Sequence, residues 1–165
     1  KSMFPNIFSF LSKILYKNFL NIIAKHYKYC DEGYTLFEDS CYLFESDFYK
    51  SWHEAKQYCI SHGGNLASVH NQQTVGFLAG LVFVFVAHTA RASWVGLNDI
   101  EEEGNYVWSD GSPNDFLVTW APGQPDNWQD DEDCIQLYGA DNNSPGYFND
   151  QNCNTAYPFI CKKGK

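Results

Sequence analysis

The chain has 165 residues, 44% of them hydrophobic and 18% aromatic, which is ample for one packed domain plus a short extra segment and excludes a disordered chain. The net charge of −9 is unevenly placed: Lys1, Lys13, Lys17, Lys25 and Lys28 meet no acid within residues 1–29, leaving six basic against twenty acidic residues, or −14, in the remainder. So acidic a body argues against nucleic acid as a partner and suits the binding of cations.

Residues 6–23 place Ile7, Phe10, Leu11, Ile14, Phe19 and Ile22 near helical spacing, with Lys13 and Lys17 elsewhere, and predict a basic amphipathic helix. The two lysines interrupt any apolar run long enough to span a bilayer, and no clean signal-peptide core with a small-residue cleavage site follows. The segment 1–29 is compatible with a leader or its remnant, a neck helix for oligomerisation, or a helix lying on a membrane surface.

From Cys30 the pattern changes to short alternating runs. Residues 30–37 and 40–45 read as a hairpin closed by a cysteine pair. Ser51 and Glu54 form a capping box for a helix that buries Trp52, Ala55 and Cys59 and ends at Gly63-Gly64. A second helix opens at Asn71 and turns Val75, Leu78 and Ala79 inward. The apolar run 81–87 is a buried strand or an extension of that helix, too short to cross a membrane. Residues 93–97, 106–108, 134–138 and 158–161 predict short strands. The stretch 109–133, rich in Gly, Pro, Asn and Asp, is a long connection of the kind that carries function.

Cysteines at 30, 41, 59, 134, 153 and 161 form no CxxC pair and lie at no zinc-finger spacing, so they predict a disulfide framework and a secreted or extracellular setting. Six cysteines allow 15 pairings, and the residues alone do not choose among them. Between Gln124 and Cys153, the side chains of Gln124, Asp126, Glu132, Asn149 and Asp150 can offer a metal only oxygens. Such a donor set suits Ca²⁺ rather than Zn²⁺, which prefers Cys and His. His53, His62, His70 and His88 fall on predicted helices or their edges, as surface or packing residues.

Several landmarks together resemble the C-type lectin domain: Trp94-Val95-Gly96-Leu97 is similar to the family's WIGL strand, Trp108-Ser109-Asp110-Gly111 to its next landmark, and Phe148-Asn149-Asp150 to its WND. The resemblance runs from about Cys30 to Lys163, placing a domain at 30–165 behind the segment 1–29. It implies an α+β fold of two helices, two small antiparallel sheets, a long calcium-binding loop region and three disulfides. The implied pairs are Cys30–Cys41, Cys59–Cys161 and Cys134–Cys153. The implied sugar-site calcium ligands are Gln124, Asp126, Glu132, Asn149 and Asp150, with Pro125 cis between the first two. An auxiliary calcium site would draw on Asp99, Glu103, Asn127 and Asp133, sharing Glu132. Phe148 departs from the family's Trp, and the apolar run near 82–88 is longer than usual.

The resemblance also implies function: binding of vicinal sugar hydroxyls to the calcium, with the amides of Gln124 and Asn149 donating and the acids accepting. The Gln-Pro-Asp order resembles that of galactose binders, whereas Glu-Pro-Asn resembles mannose binders. Trp128 stands where galactose-type members place a stacking ring. The expectation is therefore a calcium-dependent lectin for galactose or N-acetylgalactosamine, not an enzyme, with galactose-type glycans or glycoproteins as partners. Any membrane association would run through residues 1–29, which could also assemble an oligomer. A competing reading, a related module that binds a protein ligand with calcium structural or absent, follows from the same fold. A glycosidase reading of Glu132 and Asp150 lacks a supporting nucleophile or base nearby. The sequon Asn142-Asn143-Ser144 is followed directly by Pro145, an unfavourable setting for glycosylation.

Overall fold

A computed structural model describes residues 30–85, 92–139 and 145–164. The expected amino-terminal helix, Ala87 and His88, and the sequon lie outside the described residues. The elements in order are β1 (Thr35–Phe37), β2 (Ser40–Lys50), helix α1 (Trp52–Ser61), β3 (Asn65–Leu66), helix α2 (Gln72–Phe85), β4 (Ala92–Asn98), β5 (Val107–Trp108), β6 (Cys134–Tyr138), β7 (Phe148–Gln151) and β8 (Tyr157–Gly164). A 3-10 turn at Trp128–Asp130 lies in the long connection before β6.

The predicted hairpin is present, with Leu36 opposite Cys41. Helix α1 starts on the predicted box: the Ser51 hydroxyl accepts from the Glu54 backbone N–H, and the Glu54 carboxylate accepts from the Ser51 N–H at 3.1 Å. Two otherwise orphaned donors are thereby satisfied. Its inward face of Trp52, Ala55 and Cys59 is buried. The Trp52 indole donates to the Val95 carbonyl at 2.8 Å, so the helix is pinned to β4 by a buried hydrogen bond as well as by apolar contact. Asn71 caps α2 by accepting from the Thr74 N–H at 2.7 Å, and Val75, Leu78 and Ala79 are buried. The apolar run after residue 80 continues this helix through Phe85.

The strands order as β1-β2-β8-β4-β6-β7, with β3 beside β8 and β5 beside β4. Where two small sheets are expected, a parallel pairing of Trp94 with Phe159 joins β4 to β8 and makes one mixed sheet. Strand β4 is buried along its whole length, because β8, β6 and β5 pair with it and helices and loops cover it. One core cluster, including Val75, Leu78, Val95, Leu97, Leu137 and Phe148, lies beneath α2; a second, including Trp52, Leu66, Trp94 and Phe159, lies beneath α1. Phe148 is fully buried, so the phenyl ring fills the core position without an indole N–H to satisfy.

Gly96 is required by a close approach. Its N–H donates to the Ala67 carbonyl and its carbonyl accepts from Ser109 N–H, at 2.9 and 2.8 Å. A Cβ there would stand 2.8 Å from Ser109 Oγ and 3.0 Å from the Leu66 carbonyl oxygen. Gly96→Ala is therefore expected to lower stability by about 1–3 kcal/mol, the usual range for overpacking, visible as a lower urea midpoint at unchanged slope.

All six cysteines are paired: Cys30–Cys41, Cys59–Cys161 and Cys134–Cys153. The third pair closes the β6–β7 hairpin, in which Ile135 faces Asp150 and Gln136 faces Asn149.

Candidate metal centre

The connection before β6 is guided to β7 by backbone pairing. Phe148 N–H donates to Thr119 and Ala121 N–H to Phe148, both at 2.9 Å, so residues 119–121 run alongside the start of β7. Gln124 N–H then closes a turn on the Ala121 carbonyl, and the Gln124–Pro125 peptide is cis. This brings Asp126 and Asn127 against Asp150, across 24 and 23 positions of sequence.

Carboxylate oxygens of Asp126, Glu132 and Asp150 lie within 4.8 Å of one another, with Asp126 exposed and the other two buried. Among the described residues no lysine, arginine or histidine forms an ion pair with any of them. The loop is braced by its own backbone instead. Asp150 accepts from the N–H groups of Asp126 and Asn127, at 3.3 and 2.7 Å. Glu132 accepts from Trp128 N–H at 3.1 Å. Burial, together with the charges of Asp150 and Asp126, holds the Glu132 carboxyl above the ordinary glutamate range, although the Trp128 N–H pulls the other way. Three acids gathered without a counter-charge, all offering oxygen, fit a hard divalent cation such as calcium.

The two amide candidates differ. Asn149 is buried and donates through Nδ2 to the Asp150 carbonyl and to Gln136 Oε1, which leaves its Oδ1 for a cation. Gln124 accepts from Asp126 N–H through Oε1, and its Nε2 makes no hydrogen bond with a described residue. Gln136 is a supporting residue that the sequence reading did not single out. No motif marks it, and only the β6–β7 register places it beside Asn149.

The auxiliary set is less closely gathered. Asp99 is buried with Oδ1 unpartnered, and its Oδ2 accepts from Gly104 N–H at 2.8 Å. Asp133 meets this residue through its backbone carbonyl, which accepts from Asp99 N–H at 3.1 Å. Burial, with the Asp133 charge adding to it, pushes the Asp99 carboxyl up. Glu103 accepts from Asn127 Nδ2 at 2.6 Å, and Asn127 Oδ1 accepts from Glu132 N–H. Asn127 thus works as a strut with its backbone in the left-handed region at φ 40°. Among the described residues the carboxylates of Asp99, Glu103 and Asp133 do not form a cluster like the first.

Trp128 is 63% exposed on the 3-10 turn, directly beside the acid cluster in sequence and bonded to it through its N–H. His53 and His62 are exposed on or next to α1, and His70 pairs with Asp115 at 3.0 Å, all distant in role from the acids.

A cross-braced loop that gathers oxygen donors at the end of a disulfide-closed hairpin, on a sheet flanked by two helices, defines a lectin-type binding domain. The chain belongs to the C-type lectin domain family, whose Lectin C-type domain matches residues 49–163. It is 35% identical over 135 residues to the C-type mannose receptor 2 of Mus musculus, a match covering 81% of this chain and 8% of that protein. The chain therefore spans a small part of the length of such relatives. Its fold superimposes on the mouse scavenger receptor C-type lectin carbohydrate-recognition domain with a TM-score of 0.69 and 32% identity, covering 82% of this chain and 97% of that one. A calcium-independent type II antifreeze protein matches with the same TM-score at 26% identity, covering 82% and 95% of the two chains. The family is in general one of non-enzymatic binding domains, and the similar proteins include a carbohydrate-recognition domain, a receptor and antifreeze proteins. No described helix is long and apolar enough to cross a membrane.

Proposed function

We propose that this domain binds terminal galactose or N-acetylgalactosamine in a calcium-dependent manner, outside the cell or in a compartment that permits disulfides. The observation that carries the reading is the convergence of Asp126, Glu132 and Asp150 without a counter-charge, next to the exposed ring of Trp128. Gln124, Asp126, Glu132, Asn149 and Asp150 would hold the ion. When bound, calcium supplies coordination positions for two vicinal sugar hydroxyls. Gln124 Nε2 is free to donate to one hydroxyl, and the acids accept from both with charge-assisted hydrogen bonds. Trp128 offers its face to the apolar C–H surface of galactose, a contact of about 0.5–1.5 kcal/mol. Three acids and two neutral amides give a calcium affinity in the range of extracellular modules, about 10⁻⁴–10⁻³ M.

Retention on a galactose matrix tests this. The protein is expected to stay bound in millimolar calcium and to elute with either a chelator or free galactose. The second reading is a module that binds a protein ligand with calcium structural or absent, and for the absence of calcium it draws on the antifreeze relative described as calcium-independent. Binding that survives chelation would favour it and reject the first. Donor order has its own test. Exchanging Gln124→Glu together with Asp126→Asn is expected to move preference from galactose towards mannose on a glycan panel; unchanged galactose selectivity would show that donor order does not choose the sugar.

A further inference from the structure

A cavity of about 370 Å³ lies between the β1–β2 turn, the start of α2 and the end of β8. Tyr42, Ser68 and Thr74, all buried, line it with hydroxyl-bearing side chains. Its charged walls are Lys162 on one strand and Glu38 and Asp39 in the turn. No residue of the acid cluster or of the auxiliary set reaches it. We infer that this cavity binds a free α-amino acid as its zwitterion, with the carboxylate against Lys162 and the ammonium against Glu38. The inference stands apart from the galactose reading, because it uses other residues and no calcium.

Strand alternation builds the site. Ser40 and Tyr42 share one face of β2, and Lys162 stands directly opposite Tyr42 in the β2–β8 register. Lys162 also pairs with Asn65 of β3, so its backbone is held from both sides. Its side chain is held too: Nζ donates to the Ser68 carbonyl at 3.3 Å and to Ser68 Oγ at 3.0 Å, and that hydroxyl donates to Asp110. An ammonium has three N–H donors, and Ser68 takes two of them. Lys162 is partly buried and forms no ion pair with a described residue. Burial pulls its ammonium below the ordinary lysine range, with the charges of Asp110 and Glu38 opposing, so a carboxylate placed against it relieves a cost already present. Glu38 is reached by Asn71 Nδ2 only at 3.5 Å, while Asn71 Oδ1 is committed to Thr74.

The charges choose the class of ligand. A simple anion would meet Glu38 and Asp39 as well as Lys162. A metal cation would meet the Lys162 ammonium, and the acids here do not gather as those of the first cluster do. An uncharged polyol would satisfy the hydroxyls but leave the Lys162 ammonium without a counter-charge. Lys162 and Glu38 line one cavity without pairing with each other, and a zwitterion gives each an opposite charge while adding none overall. Tyr42 shares a hydrogen bond with Ser40, and burial pushes its phenol up to about 12, so this wall stays neutral. The volume lies within the range of small-molecule sites, and the hydroxyl and amide lining suits a short polar side chain better than a large apolar one.

The test follows amide resonances of the isotope-labelled full chain by NMR while a panel of free L-amino acids is added, in calcium and again in chelator. At least one amino acid is expected to shift Tyr42, Ser68 and Thr74 saturably, and equally with and without calcium. It is expected to bind about tenfold tighter than its N-acetyl and its amide derivatives, each of which lacks one of the two charges. Glu38→Gln and Lys162→Met are each expected to weaken it about tenfold, the effect of losing one charge-assisted hydrogen bond. Glu38 is exposed, so its variant keeps the test readable even where loss of the bonds to Ser68 destabilises Lys162→Met. The site is refuted if no amino acid shifts these resonances, if the derivatives bind as tightly as the parent amino acid, or if Glu38→Gln leaves the affinity unchanged. Methyl galactoside shifting the same three residues in place of the amino acids would overturn it as well, by showing an uncharged occupant.

Discussion

Asp150→Ala is expected to abolish calcium-dependent retention on galactose and, separately, to destabilise the domain when calcium is chelated, whereas Asp126→Ala abolishes retention alone. Both residues belong to the acid cluster, yet their structural duties differ. Asp150 is fully buried and accepts from two backbone N–H groups, those of Asp126 and Asn127, which hold the loop against β7. Hydrogen bonds to a charged acceptor contribute about 1.5–3 kcal/mol each, and truncation would leave two donors unsatisfied. Relief of repulsion from Asp126 and Glu132 offsets part of this, so the net loss is about 1–3 kcal/mol. Asp126 is exposed and no backbone N–H of a described residue donates to its carboxylate, so its removal changes stability by no more than about 0.5 kcal/mol. Denaturant unfolding in chelator separates the two. An Asp150→Ala protein as stable as the parent would mean that the loop is held by something else.

Removing the Cys59–Cys161 disulfide by paired replacement with alanine carries the other large effect. The bond closes a separation of 102 residues, ties α1 to β8 and is fully buried at both ends. The chain-entropy relation gives a loss of about 4.7 kcal/mol, a large part of the 5–15 kcal/mol available to a typical domain. Marked thermal destabilisation, or failure to fold at 37 °C, is the expected result. Cys134–Cys153 spans 19 residues, for which the same relation gives about 3.2 kcal/mol. Its replacement should also weaken calcium binding, because it fastens the hairpin that carries Asn149 and Asp150 close behind Glu132. A Cys59/Cys161 double replacement that unfolds like the parent would show that the denatured chain is already compact enough to make the link redundant.

Local signals made much of the scaffold legible. The Ser51–Glu54 box, the inward face of α1, the Asn71 start of α2 and strand β6 over Cys134–Tyr138 all follow from capping chemistry or apolar spacing within a few residues. The short strand β3 and the strand character of β7 were not legible in the same way. Asn65-Leu66 is a strand because β8 lies beside it, and Phe148–Gln151 is one because β6 pairs with it. The apolar run after residue 80 was ambiguous between helix and strand for a related reason: an all-apolar segment has no periodicity to read, and only its continuity with the preceding turns of α2 decides.

Within the site the division is similar. The kind of donor was readable, because Asp, Glu, Asn and Gln carry oxygens wherever they stand, and the landmarks together supplied the family. By itself, then, the sequence determined the disulfide chemistry, the two helices, the class of domain and the oxygen-only donor set of residues 124–150. Tertiary structure alone decided that Asp126, Glu132 and Asp150 meet within 4.8 Å, that Asn127 braces Glu103 and Glu132, that Asn149 turns its amide to Gln136, and that Glu38 and Lys162 line one polar cavity. The physical reason is range. Side-chain chemistry and capping act over one to four residues, whereas convergence across 24 positions depends on the strand pairing of β7 with β6, the run of residues 119–121 beside it, and the disulfide that holds the hairpin closed.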